Sequence, residues 1–298
     1  MKKQIKKVVI PAAGLGTRLL PATKEQPKEM LPIFAYDEHV GLCVKPLLQM
    51  VFEQLFDAGF REFCFVIGRG KRAIEDHFTP DYDYVHELEK RGKEPLANSL
   101  RNFYERVEKS IIIWVNQPSP RGFGDAVLQA RPFVGDEEFL VHAGDTYIIS
   151  DGNRHLFDLA RVYDRFDSDA AFLVLEVEDP RQYGVIEGRL IDESVYLVDK
   201  LVEKPEVPPT NLAIMPVYLF NPIIFKAIEV TPPGKGGEIQ LTDGIQKVVD
   251  WGLKVHAVPL KEGQLRLDIG SPKTYWEALT LSYNYFSKHI KGGHATKP

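Results

Sequence analysis

The stretch VVIPAAGLGTRLLPATKEQPKEMLPI, residues 8–33, decides how the rest of the chain is read. Its first residues, with Lys7, make a short β-branched run, the pattern of a strand buried in a parallel sheet. Gly14 and Gly16 follow at once, so the backbone there can turn sharply and approach a phosphate closely. Arg18, Lys24 and Lys28 come next, on a segment that Pro21, Pro27 and Pro32 keep from being helical. A strand, a glycine turn and cations in this order predict an anion-binding edge of an α/β sheet.

Two common glycine loops do not fit. A dinucleotide fingerprint needs a third glycine where the helix packs on the strand, and Leu19 stands there. A P-loop needs G-x-x-x-x-G-K-[ST]; counted from Gly14, its second glycine falls on Leu19 and no lysine follows. What remains is a glycine cradle with several cations on a proline-braced strap. That suits a polyanion whose charge must be held while it rearranges.

Outward from this loop, strands and helices alternate. Strands are expected at 62–68, 111–117, 138–145 and 169–177, and helices at 45–59, 71–78, 124–134 and 155–166. Residues 80–110 read as two surface helices around Gly92. From 178 to 221 the pattern changes to short alternating pieces that look antiparallel; helices at 222–229, 239–251 and 272–288 and a strand at 253–260 finish the chain. The expected fold is α/β: a Rossmann-like, doubly wound, mostly parallel but mixed sheet with an antiparallel elaboration. One domain over 1–288 is expected, with a helical insertion at 80–110 and a frayed tail at 289–298.

Bulk properties exclude several classes. A net charge of −5 over 298 residues gives no basis for a nucleic-acid partner. Cys43 and Cys64 have no CxxC or Cys/His partner and read as reduced core thiols. The N-terminus has basic residues but too short an apolar run for a signal peptide, and no stretch nears the ~18 apolar residues of a membrane span. A cytoplasmic protein is expected.

GLGTRLLPATKEQPKEMLP (14–32) resembles the signature G-x-G-T-R-[LM]-x-P of sugar-1-phosphate nucleotidylyltransferases, with the later P-K-x-[ML]-[LV]-P block. The spelling PATK-x-x-PKEMLP is that of the branch that uses UTP and glucose 1-phosphate. The likeness continues in order through DYVHELEKRGK (83–93), NQPSPRGFGDAV (116–127), HAGDT (142–146), YGVIE (183–187), LVEKP (201–205), GGEIQLTDGI (236–245) and LDIGSPKTYWEA (267–278). It implies that an NTP and a sugar 1-phosphate give an NDP-sugar and pyrophosphate, by in-line attack on the α-phosphorus. The nucleophile is already an anion, so cations are the main catalytic need and no general base is missed.

By this resemblance, the backbone of Ala12, Ala13 and Gly14 holds base and ribose, and Gly16, Thr17 and Arg18 cradle the triphosphate. Lys28 is the first choice for a catalytic cation, with Arg18; Lys24 is a further nucleotide contact. Gln117 reads the uracil edge with Gly122 beside it, an amide being able to donate and accept at once. Gly184, Glu203, Lys204 and Glu238 take the sugar phosphate. Asp145 is the expected Mg²⁺ ligand and Asp268 the second. Three departures from the family pattern stand near these positions: Thr146 in place of a second acid, Phe123 in place of leucine and Asp125 in place of histidine. The last two lie by the base and imply a less strict base choice. The alternatives left open are dTTP, another hexose 1-phosphate, or a non-catalytic nucleotide-sugar regulator. Family members are commonly dimers or tetramers, so a homo-oligomer is expected, with 80–110 and the last helix as interface material.

Overall fold

The structure is a computed structural model that describes residues 5–192 and 194–292. β1 (Lys7–Pro11) leads into the glycine loop, and the strap carries single 3₁₀ turns at Thr17–Leu19 and Lys28–Met30. A hairpin of β2 (Pro32–Asp37) and β3 (Gly41–Pro46) is followed by α1 (Leu47–Asp57), β4 (Glu62–Ile67) and α2 (Arg72–His77). Then come α3 (Tyr82–Lys90), α4 (Glu94–Glu108), β5 (Ile111–Asn116), α5 (Phe123–Gln129), α6 (Arg131–Val134), β6 (Phe139–His142), β7 (Thr146–Ile149) and α7 (Arg154–Arg165). The second half holds β8 (Ala170–Glu176), β9 (Gly184–Asp192), β10 (Val195–Glu203), β11 (Leu212–Phe220), α8 (Ile223–Glu229), α9 (Leu241–Asp250), β12 (Val255–Pro259), β13 (Leu265–Asp268) and α10 (Pro272–Gly292).

Among the described residues one nine-stranded sheet runs in the order β5-β4-β1-β6-β11-β8-β12-β10-β9. β1 is parallel to β4 and to β6, and β4 to β5. β11 enters antiparallel between β6 and β8, while β9 and β10 form the antiparallel far edge. The mixed sheet expected from the sequence is therefore the one observed. Strand periodicity divides its side chains between two cores. Val8 and Ile10 of β1, with Phe63 and Phe65 of β4, face α1, α4 and α7. Val9, Cys64 and Val66 face α5, α8 and α9. Helices thus cover both faces. Phe52 of α1, Phe63 and Phe65 of β4, Phe78 just after α2 and Phe103 of α4 form a linked set of ring contacts. Burying each ring contributes about 1.5–3 kcal/mol, and through Phe78 the cluster holds the C-terminal end of α2.

The structure corrects four expectations. The helix expected at 124–134 is two, because Pro132 has no N–H to continue α5. The strand expected at 138–145 stops at His142; after a turn at Gly144 and Asp145 the chain enters β7, which pairs with β13 outside the main sheet. The β2–β3 hairpin was not anticipated: its turn is closed by Asp37 Oδ1, which accepts from the backbone of His39 and Val40, and α10 packs on β2 through Phe34 and Tyr283. The last helix continues to Gly292, and the rest of the expected tail, 293–298, lies outside the described residues. No helix among the described residues is long and apolar enough to cross a membrane.

Candidate active site

The loops after β1, β4, β5 and β6 open together at the carboxyl end of the parallel strands, where ligands of open α/β sheets lie. Ala12 N donates to Val66 O (2.8 Å) and Gly144 N to Pro11 O (3.2 Å), so the glycine loop is held between its two neighbouring strands. Gly16 has φ 68° and ψ 21°, a left-handed conformation that a side chain would strain. Thr23 Oγ1 donates to its carbonyl at 2.8 Å. Gly14, Thr17 and Arg18 are exposed along this turn. Arg18 Nη2 lies 3.2 Å from where a Cβ on Gly270 would stand, so it spans from the glycine turn to the Asp268 turn. Lys24 is not brought in: its side chain is 76% exposed and faces Glu25 at 3.6 Å.

The strap delivers Lys28. Its Cε and Nζ lie 3.6 Å from where a Cβ on Gly14 would stand, and its ammonium forms an ion pair with Asp145. Burial alone disfavours charge on both groups, but their mutual attraction lowers the Asp145 pKa and raises that of Lys28. The adjacent residue explains why the strap stays in place. Glu29 is 1% exposed, inside the protein, and bonds to Lys71 Nζ at 2.8 Å. Burial raises its pKa against the pull of Lys71 and then Lys28. Sequence reading missed this anchor.

Pairing of β13 with β7 sets Asp268 opposite Thr146, and Ile269 N donates to Asp145 O at 3.3 Å. The two expected metal acids therefore stand side by side. Arg266, also missed, faces Asp268 Oδ1 at 3.3 Å, donates to Tyr183 Oη at 3.0 Å and contributes to lowering the Asp145 pKa. Tyr183 O in turn accepts from Lys204 N at 2.9 Å. Lys204 has φ 43°, a strained conformation for a lysine and one that clusters at functional sites. Its Nζ is 3.0 Å from Glu203 Oε1, while Thr242 Oγ1 donates to Glu203 Oε2 at 2.7 Å. A Cβ on Gly184 would lie 2.6 Å from Thr242 Oγ1 and 3.1 Å from Glu203 Oε2, so this position admits no side chain.

At the other end, Gln117 follows β5, 6% exposed, and its Nε2 donates to Gly122 O at 3.1 Å and to Asp125 Oδ2 at 2.7 Å. Gly122 has φ 113°, and a Cβ there would be 2.6 Å from Ile239 O and 2.8 Å from Glu238 Cβ. Two backbone bonds, Ile239 N to Arg121 O (2.7 Å) and Gly124 N to Ile239 O (2.9 Å), clasp the loops together. Glu238 is exposed, its Cβ 2.8 Å from where a Cβ on Gly122 would stand.

A glycine cradle, a buried-anchored lysine and paired acids at the edge of such a sheet define a site for transferring a phosphorylated group. The family model for Nucleotidyl transferase matches residues 7–283, and the chain belongs to that family. The UTP–glucose-1-phosphate uridylyltransferase of Pseudomonas aeruginosa is 38% identical over 288 residues, 95% of this chain and 98% of its own. A putative UTP–glucose-1-phosphate uridylyltransferase of Methanocaldococcus jannaschii is 42% identical over 81% of each chain. A solved UDP-glucose pyrophosphorylase complexed with UDP-glucose superposes with a TM-score of 0.80 at 36% identity, over 96% of this chain and all of that one. The UTP-bound enzyme of Acinetobacter baumannii gives 0.82 at 29% identity, over 99% of this chain and all of that one.

Proposed function

We propose that this chain joins UTP to glucose 1-phosphate, giving UDP-glucose and pyrophosphate. The observation that carries this reading is Lys28, set across from Gly14, paired with Asp145 and pinned by the buried Glu29–Lys71 anchor beside it. It fixes a cation where the phosphates of a nucleotide on the glycine turn have to lie. The relatives' printed names supply the same two substrates.

An oxygen of the sugar phosphate attacks the α-phosphorus of UTP. The opposite bond breaks, and its electrons leave with pyrophosphate. Arg18 and Lys28 stabilise charge as it moves toward the leaving group, in a site preorganised by the strap. The backbone from Ala12 to Thr17 seats the nucleotide, Gln117 and Gly122 take its base, and Lys204 holds the sugar phosphate. Glu203, already oriented by Thr242, accepts from sugar hydroxyls.

The donor set fits Mg²⁺. Asp145 and Asp268 bring two hard carboxylates to neighbouring backbone positions, and this ion commonly takes one or two carboxylates with phosphate oxygens and water. Bound there, it neutralises phosphate charge further. The reading extends to a homo-oligomer. The test is pyrophosphate release from four NTPs crossed with several sugar phosphates. Turnover with UTP and glucose 1-phosphate is expected, and turnover only with another pair refutes the assignment.

A further inference from the structure

The Gln117 amide is more constrained than its residue type requires. Asp125, in the first turn of α5, is 0% exposed. Its carboxylate is met only by donors: Gln117 Nε2 at 2.7 Å and, on the other oxygen, Arg121 Nη2 at 2.6 Å and Gln129 Nε2 at 3.3 Å. A carboxylate accepts and does not donate, so the nitrogen end of the amide must face it. The second amide hydrogen is taken by Gly122 O at 3.1 Å. The main chain is fixed as well, Gln117 N donating to Ile67 O at 2.7 Å. Only Oε1 is left without a partner among the described residues.

We propose that Asp125 is a positioning residue for base selection, locking the Gln117 amide so that an incoming base meets an acceptor. The inference rests on the reading that Gln117 faces the base. An acceptor pairs with the N3–H of a uracil or thymine ring. It opposes cytosine, whose N3 is a lone pair, and leaves two acceptors facing each other in a half-buried place. A side chain at 125 able to both donate and accept would remove the stronger half of the lock, leaving only the longer bond to the Gly122 carbonyl to oppose the turned amide. The Gln117 amide could then turn over and offer N–H to cytosine while keeping a bond to residue 125. Arg121 and Gln129, each four residues from Asp125 on opposite sides in sequence, hold the carboxylate itself in place. Replacing histidine by Asp125 was expected to relax base choice. The geometry argues the reverse: the carboxylate narrows it.

The test is kcat/KM for UTP and for CTP, each with glucose 1-phosphate, in the wild type and in Asp125→Asn. The wild type should favour UTP by at least about a hundredfold, the scale set by leaving one buried acceptor unpaired. Asp125→Asn should lower that ratio by about tenfold or more, mainly by admitting CTP, because Asn can hold the amide in either orientation. A folded Asp125→Asn protein whose ratio stays within about twofold of wild type overturns the proposal, since a merely structural role shifts stability and not the ratio. Should Asp125→Asn fail to fold, Arg121→Gln serves. Its side chain is 60% exposed, and loosening the carboxylate should lower the ratio by about threefold, an unchanged ratio again overturning the proposal. A wild type with no turnover of UTP refutes the proposed function instead. Calorimetric titration of UTP and CTP then tests the lock alone: preference for UTP that Asp125→Asn reduces supports it, and equal affinity in the wild type overturns it.

Discussion

Replacing Lys71 by Met should destabilise the protein by up to about 3.7 kcal/mol at pH 7, and the loss should shrink on acidification. Glu29 is 1% exposed, and its partner at 2.8 Å is the Lys71 ammonium. With the cation gone, the carboxylate either stays charged and unpaired, at about 3–5 kcal/mol, or takes up a proton. Protonating a carboxyl of ordinary pKa about 4.3 at pH 7 spans about 2.7 pH units at 1.36 kcal/mol each, about 3.7 kcal/mol, which caps the loss. Burial already raises the Glu29 pKa in the wild type, and the variant leaves that effect unopposed by Lys71. The variant's folded state then keeps a proton that its unfolded chain releases above the unfolded pKa, so its stability falls as pH rises. Between pH 7 and pH 5 the penalty should drop by up to about 2.7 kcal/mol, less whatever the raised Glu29 pKa already contributes in the wild type. Urea unfolding of wild type and variant at both pH values reads this directly, since other titrations cancel in the difference. Adding Glu29→Gln to Lys71→Met should recover most of the stability, a coupling that a double-mutant cycle measures. A penalty below about 1 kcal/mol, or one equal at pH 5 and pH 7, refutes the buried-anchor argument.

Lys28→Met should lower kcat by about a hundredfold or more, as loss of one preorganised charge contact does; steady-state pyrophosphate release checks it. Gly184→Ala should raise KM for the sugar phosphate more than KM for UTP, because its Cβ would stand 2.6 Å from Thr242 Oγ1 and 3.1 Å from Glu203 Oε2; equal rises would refute this separation of the two sites. Burial lowers the pKa of His142 to about 4 and that of His155 to about 3, so both stay neutral in the fold at pH 5 while the unfolded chain protonates. Stability from these two should be lost as pH falls below about 6.5, at about 2 kcal/mol each by pH 5, and His155→Leu should flatten that slope in unfolding titrations.

Much of the site was legible because it is written in local sequence. A β-branched run, two glycines and a proline-braced lysine act through neighbours within 25 residues, and the fold sets Lys28 across from Gly14 on the same turn. Lys24 was misjudged by the same logic: its charge and spacing resemble those of Lys28, but no buried neighbour turns it inward. The Glu29–Lys71 anchor was invisible because its halves are 42 residues apart and each alone reads as a solvated charge. The β7–β13 ribbon escaped for a related reason. Its strands are four residues long, too short for period-2 alternation to register, and only their pairing shows that Asp145 and Asp268 are neighbours and that Arg266 stands between Asp268 and Tyr183. Asp125 was seen as a departure from a pattern, but its effect depends on which end of the Gln117 amide it faces, a matter of three-dimensional hydrogen bonding.

The central claim is uridylyl transfer between UTP and glucose 1-phosphate. Incubation of the protein with both substrates and Mg²⁺, followed by chromatography of the nucleotide products and a pyrophosphate assay, measures it most directly. UDP-glucose and pyrophosphate should form in equal amounts, and both should form about a hundredfold more slowly in Lys28→Met. Pyrophosphate without UDP-glucose, or no product from this pair while another NTP and sugar phosphate react, would contradict the account.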